Sequence, residues 1–471
     1  MISKLNETEK EPISKAVKIP ILVFLTFAFG DFIIELFVYL FSVRVFHFYE
    51  TVVLLNPLLI LFAYVLYAGY NMINDPIVGY LADRPRSFWQ KIGKRTPWIF
   101  VGGIGLAISF ILIFSVPNID PVANSLIIFF WLLISVCLFD TFFSMFDTNY
   151  NGLIPEKFRR DENRLRLSGF EVFMGILGQI VGSIIAPLII DTELQTSYII
   201  MALVMAIIAI IIIILQLYGI REDDTMKERY LRNTDNIRKK SFLEMLKICV
   251  TQRSFLAYLL LFTCYQATIL LLLGSIPYMV EFVLLEEADM ETVIMIGYIF
   301  AGLLSVPLWS RLAKKKGNKQ IYVITGILTS LLTIPFWFVD SVTFGIISAA
   351  LLGIGLIGFW LMSNPILADV IDEAVAKNEV RQEGLYMGVR VFFARIALII
   401  QAVTFTVIHI LTGFDPEATT QSGLAIIGLR MQMALVPMIL MLLGILIFYL
   451  LYDITPEKKK RTKLRLEQLK L

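Results

Sequence analysis

Residues 199–215 contain no polar side chain. Such a segment has no place on the surface of a water-soluble globule, and it is one of twelve apolar runs along the chain. In hydrocarbon every backbone N–H and C=O must be satisfied within the structure, so only helices and closed barrels span a bilayer. A barrel would alternate apolar and polar residues over segments of about ten, and these runs do not alternate. They are instead close to the roughly 20 residues that a crossing helix needs. The chain has 471 residues, 58% of them apolar, against about 45–50% for soluble domains. That excess excludes disorder, collagen-like repeats and a disulfide scaffold, and leaves an all-α polytopic membrane protein.

The runs begin near Val17, Val53, Pro97, Ser125, Ser168, Ser197, Ser254, Asp289, Gln320, Ser341, Glu383 and Leu424. The first has no small-residue cleavage pattern and reads as a retained helix, not a signal peptide. Cys137, Cys249 and Cys264 lack metal-like spacing and are expected to pack in the core. Lys and Arg gather in alternate connections: 37 of the 41 lie in the two tails and in the connections that follow even-numbered helices. Basic loops stay cytoplasmic, so both termini are expected in the cytoplasm, with the cell membrane as the location. This sidedness, hidden in a net charge of +2, fits topology and not a nucleic-acid surface.

The longest polar connection divides the chain. The expected organisation is a cytoplasmic tail over 1–17, a six-helix bundle over 18–219, a cytoplasmic linker over 220–253, a second six-helix bundle over 254–452 and a cytoplasmic tail over 453–471. A related basic signal follows the second helix of each half. The first copy runs from Gly79 through Asp83-Arg84 to Gly93-Lys94-Arg95, and the second from Pro307 through Arg311 to Lys319. Two parallel halves of six helices around a midplane site are the organisation of the major facilitator fold.

Eight ionisable residues interrupt the apolar runs: Asp31, Glu35, Asp75, Asp140, Asp147, Glu171, Arg390 and Arg395. Left against lipid they would cost roughly 20 kcal/mol together, so they must face one another or water. Six acids against two arginines call for protons, a bound cation or a cationic substrate. Residues three, four or seven apart stack along a helix, which places Asn71, Asn74 and Asp75 in one patch and Asp140, Ser144 and Asp147 in another. Carboxylates with amide and hydroxyl oxygens suit a small hard cation; soft metals would want Cys or His.

At these residues the chain resembles a known family. Asn71-Met-Ile-Asn74-Asp75-Pro76-Ile-Val-Gly79, then Asp83-Arg84-Pro-Arg86, then Gly93-Lys94-Arg95-Thr-Pro97, is similar to the second-helix signature of the glycoside-pentoside-hexuronide:cation symporters, the melibiose-permease-like family of the major facilitator superfamily. The segment from Asp147 to Glu156 and the connection from Asp369 to Gly384 have familial forms too. The resemblance implies cation-site roles for Asp75, Asp147 and Asn74, with Ser144 replacing a site threonine. It implies a substrate role for Asp31 and a place near both sites for Arg395. Three positions depart from the family pattern: Asn71 replaces a third cation-site aspartate, Glu171 a sugar-binding arginine and Asn151 a sugar-stacking tryptophan. Asp140, Glu171 and the run from Val391 to Arg395 resemble the related eukaryotic lysophospholipid symporters.

The expected function is therefore cation-coupled symport of a sugar or glycoside by alternating access, with a lysophospholipid or other amphipath as the alternative substrate. Na⁺ or H⁺ is the coupling ion, Li⁺ could replace Na⁺, and no cofactor is expected. The cation site comprises Asp75, Asp147, Asn71, Asn74 and Ser144. The substrate site comprises Asp31, Glu171, Arg395, Asp140, Tyr150 and Trp360, and the gate Gly79, Asp83, Arg84, Arg86, Lys94 and Arg95. The partners are a small-molecule substrate and the bilayer, no nucleic acid, and the chain is expected to be a monomer. No enzyme is expected. An integral-membrane prenyltransferase is a remote alternative, because Asp75 with Asp83 and Asp369 with Asp372 superficially match paired magnesium-binding acids, but Pro76 and a missing intermediate acid spoil the first pair. His47 and His409 read as packing or interfacial residues.

Overall fold

The computed structural model describes residues 19–83, 92–158, 160–192, 194–224, 226–227, 251–378 and 383–469. Among these, no residue lies in a strand, and 12 helices are long and apolar enough to cross a membrane. They are α1 (Ile21–Val52), α2 (Pro57–Asp83), α3 (Thr96–Phe114), α4 (Ser125–Lys157), α5 (Asp161–Ile189) and α6 (Gln195–Ile220). The second set is α7 (Arg253–Leu284), α8 (Asp289–Lys316), α9 (Asn318–Phe338), α10 (Val342–Asn378), α11 (Glu383–Thr412) and α12 (Gly423–Leu451). A polar helix, α13 (Pro456–Leu469), follows.

The packing repeats with a period of six helices. Helix α1 lies on α5 and α6, α2 on α4, and α3 on α4 and α6; correspondingly α7 lies on α11 and α12, α8 on α10, and α9 on α10 and α12. The two sets meet where α2 packs on α11 and α5 on α8, contacts that the same exchange of halves converts into each other. This is the arrangement of parallel repeats related by an axis along the membrane normal. An even number of crossings puts the start of α1 and the end of α12 on one face, the terminal face. Small residues let the helices close up: at Gly178 of α5 an added Cβ would run into the backbone of Phe32 on α1.

Helix ends follow local chemistry. Helix α3 carries Pro97 in its first turn, where a missing N–H costs nothing. Helix α8 ends in Lys314, Lys315 and Lys316, which suit the negative end of its dipole, and Gly317 leaves it at φ +85°. Helix α5 begins seven residues before the expected Ser168, because its polar first turns extend past the apolar run. Helix α1 contains π-helical turns at Phe41–Val45 and Phe48–Val52, α7 at Met279–Leu284 and α12 at Met431–Leu435. All lie at the face opposite the termini. Residues 1–18 and most of the expected linker, 228–250, lie outside the described residues.

Candidate functional site

The two patches expected from helical spacing meet between α2 and α4. The Asp140 carboxylate, 1% exposed, accepts Asn71 Nδ2 on both oxygens at 2.6 and 2.7 Å, Asn74 Nδ2 at 3.1 Å and the Tyr67 hydroxyl at 3.1 Å. Asn74 also donates to Ser144 Oγ at 3.2 Å, and the Ser144 hydroxyl donates to Asp75. A hydroxyl pair, Tyr70 with Thr141 at 2.6 Å, extends the layer. From the other half of the molecule, Arg395 Nη1 comes to 3.9 Å from Asp140. Asp140, expected among the substrate residues, is thus the acceptor around which Asn71 and Asn74 are organised.

Asp147 lies two turns along α4 from Asp140 and accepts Asn151 Nδ2 at 2.8 Å. It feels the charges of Arg395, Asp75 and Asp31, so it stands between the α2–α4 cluster and a second one. There the Tyr150 hydroxyl donates to Asp31 Oδ2 at 2.6 Å and reaches Glu171 Oε1 at 3.4 Å. Glu35, one turn beyond Asp31, lies against Gly175 of α5 and feels the charges of Asp31 and Asp147. Tyr150 is fully buried, its ring stacked on Phe27 at 4.9 Å between centroids, and Gly30 leaves room for it, since a Cβ there would overlap the ring. The six acids form a string across α5, α1, α4 and α2 instead of one cage. Among the described residues no three His, Cys, Asp or Glu side chains converge as a metal site.

Arg390, five residues before Arg395, turns to the other side of α11. Its guanidinium lies 4.4 Å from the Phe262 ring centroid and 5.7 Å from that of Trp360, and Nη1 donates to Asn364 Oδ1 at 2.8 Å. Trp360 is 45% exposed. It belongs to α10, in the opposite half from the acids.

The expected gate residues fall into two groups. Gly79 sits on α2 facing Thr148 of α4; Arg84, Arg86 and the side chain of Asp83 lie outside the described residues. The backbone N–H groups of Lys94, Arg95 and Thr96 donate to the buried Glu222 carboxylate at 2.7–2.8 Å, which satisfies the orphan donors at the start of α3. The Arg95 guanidinium meets Glu156 at 2.8 Å. These contacts bind α3 to α4 and to the end of α6 within one bundle.

A polar seam that sequence reasoning missed joins the two bundles at the face opposite the termini. Arg44 of α1, 0% exposed, forms a two-pronged pair with Glu291 of α8 at 2.6 and 2.9 Å. His47 Nε2 of α1 approaches Glu281 Oε2 of α7 to 3.0 Å, off the line of a hydrogen bond. Glu50 of α1 accepts the Tyr278 hydroxyl of α7 at 2.5 Å and meets His409 Nδ1 of α11 at 2.7 Å, while His409 Nε2 lies 2.8 Å from Gln432 of α12. Both histidines of the chain are therefore buried partners of glutamates from the opposite bundle. The signal available was the three-residue spacing of Arg44, His47 and Glu50 at the end of an apolar run. Arg44, Glu50, Glu281 and Gln432 all belong to π-helical turns, which occur often at functional sites.

A family model described as MFS/sugar transport protein matches residues 26–456. The sodium-dependent lysophosphatidylcholine symporter 1 of Xenopus tropicalis is 22% identical over 442 residues, covering 86% of this chain and 82% of the relative. The sodium-dependent lysophosphatidylcholine symporter 1-A of Danio rerio is 24% identical over 88% of this chain and 82% of its own length. The uncharacterized symporter YjmB of Bacillus subtilis is 22% identical over 83% of each chain.

Proposed function

Because the chain belongs to the MFS/sugar transport protein family, we propose that it is a sodium-coupled symporter of an amphipathic lipid of the lysophospholipid class. The observation that carries cation coupling is the acid string: among the described residues, Asp31, Glu35, Asp75, Asp140, Asp147 and Glu171 have Arg395 as the one guanidinium set among them, because Arg390 turns away. Each uncompensated charge in a membrane interior costs about 2.5–3.5 kcal/mol or more, and a cation that enters with the substrate offsets that cost. Asp75 and Asp147, with oxygens of Ser144, Asn71 and Asn74, are hard donors that suit Na⁺. Asp140 holds the asparagines in place, and Asp31, Glu171, Arg395 and Trp360 face the substrate.

The relatives named as lysophosphatidylcholine symporters, aligned over most of both chains, support the lipid class. So does the burial of Tyr150, which acts as a strut under Asp31 and not as an open stacking platform for a sugar ring. A sugar or glycoside is the second reading, favoured by the family's description and by Asp31. On this proposal the terminal face is cytoplasmic, the seam closes the outer side, and a single chain supplies both halves of the cavity, so a monomer suffices in the cell membrane.

Binding to purified protein tests the reading. Na⁺ should strengthen binding of oleoyl-lysophosphatidylcholine about tenfold, a shift of roughly 1.4 kcal/mol, and melibiose should not compete. Na⁺-dependent sugar binding without a response to the lysolipid would overturn the lipid class. Binding indifferent to Na⁺, Li⁺ and pH would overturn coupling.

A further inference from the structure

We infer that Arg390, with Asn364 and Trp360 beside it, binds the phosphate group of the substrate, an inference that rests on the lipid reading above. Arg44 and Arg395 each meet a carboxylate. Arg390 lies within the apolar span of α11 and meets none among the described residues; its contacts are the Asn364 carbonyl and the faces of Phe262 and Trp360. An arginine in a membrane span is rarely left without a counter-charge.

The geometry says what kind of counter-charge fits. The guanidinium carbon sits over the Phe262 ring, and its N–H groups surround it in one planar fork. Of the five donors in that fork, one goes to Asn364. The rest present the planar, two-pronged arrangement that matches two oxygens of a phosphate. The guanidinium points into its bundle, towards α7 and α10, and not out along α11 to the nearby helix end. Trp360, 45% exposed, leaves the site open on one side. Met387 and Val391, each 47% exposed and one turn apart on α11, flank it with apolar surface suited to an acyl chain.

The placement also separates charges. The acid string would repel a phosphate, and it belongs to α1, α2, α4 and α5, whereas Arg390 belongs to the other half. An anionic headgroup held there leaves the coupling cation to the acids, with Arg395 between the two.

Binding to the full-length wild type and to Arg390→Gln, with four probes, distinguishes the sources of the phosphate. The probes are oleoyl-lysophosphatidylcholine, monooleoylglycerol, glycerophosphocholine and inorganic phosphate. Arg390→Gln should weaken lysophosphatidylcholine binding at least tenfold and leave monooleoylglycerol unchanged. Arg390→Lys, which keeps the charge and loses the fork, should weaken it about threefold, and it serves if the glutamine variant does not fold. Equal affinity of wild type and both variants for lysophosphatidylcholine overturns the assignment, as does an equal loss for monooleoylglycerol. Tight, Arg390-dependent binding of inorganic phosphate or glycerophosphocholine overturns the lipid source in favour of a soluble anion. If wild type binds neither acyl probe, the lipid reading itself fails, a result separate from the behaviour of the variants.

Discussion

Asp140 and Asp147 are both acids on one face of α4, yet they hold different positions. Asp140 accepts hydrogen bonds from Asn71, Asn74 and Tyr67 in a fully buried layer; among the described residues, the Asp147 carboxylate accepts from Asn151 alone. Asp140→Asn should therefore lower stability by about 1–3 kcal/mol, the usual cost of stranding buried donors, and should weaken Na⁺ binding through the displaced asparagines. Asp147→Asn should leave thermal stability nearly unchanged and still abolish the Na⁺ response; melting curves and Na⁺ titrations on the two variants separate the roles. Asp31→Asn should remove substrate binding and spare Na⁺ binding, and substrate affinity within about threefold of wild type, under 1 kcal/mol, would place Asp31 elsewhere. Helical spacing made the stripes of α2 and α4 legible in the sequence. Which acid the asparagines face was not, because that depends on how far each helix rotates about its own axis, and packing sets the rotation.

Apolar run length placed the helices well, and their ends less well where polar turns continue beyond the apolar run, as at Asp161. Glu222 shows what run length hides. It lay within the expected linker, yet its carboxylate takes three backbone N–H groups and the Thr96 hydroxyl at 3.1 Å. Gly93, at φ +105°, is required beside it, since a Cβ would press on the carboxylate. Glu222→Ala should cost about 1–2 kcal/mol as a lost helix cap, seen as a lower melting temperature. Helix α13 offers a pH test of an element. Lys458 bridges Glu373 and Asp453, and Lys459 meets Asp369 of α10 at 2.6 Å. Burial raises the Asp453 carboxyl, but hydrogen bonds from Lys458 and Ser254 outweigh it and hold it below its ordinary value. A carboxylate lowered on folding stabilises above its unfolded pKa of about 3.9, and its contribution fades as pH falls through the lowered native value. A spin label at Lys463 should report α13 docked at about pH 5 and released only in stronger acid.

At the scale of the whole molecule, the six-helix period in packing was legible as two apolar halves. The seam was not legible, because its partners lie more than 200 residues apart in the chain: Arg44 with Glu291, and Glu50 with Tyr278 and His409. Glu291→Gln should leave Arg44 buried without its anion and favour opening at that face. A cysteine replacing the buried Ser42 should then become reactive to an impermeant maleimide. Counted as charges, the seam sets Glu50, Glu281 and Glu291 against Arg44, His47 and His409, with Tyr278 and Gln432 as neutral neighbours. Each of the links Arg44–Glu291, His47–Glu281, Glu50–Tyr278 and Glu50–His409 runs from one bundle to the other, so the bundles cannot part at this face without breaking all of them. The seam is a latch with several bolts, and drawing one bolt loosens it without freeing it. Maleimide labelling of Ser42→Cys should therefore rise from wild type to Glu291→Gln and rise again when Glu50→Gln is added.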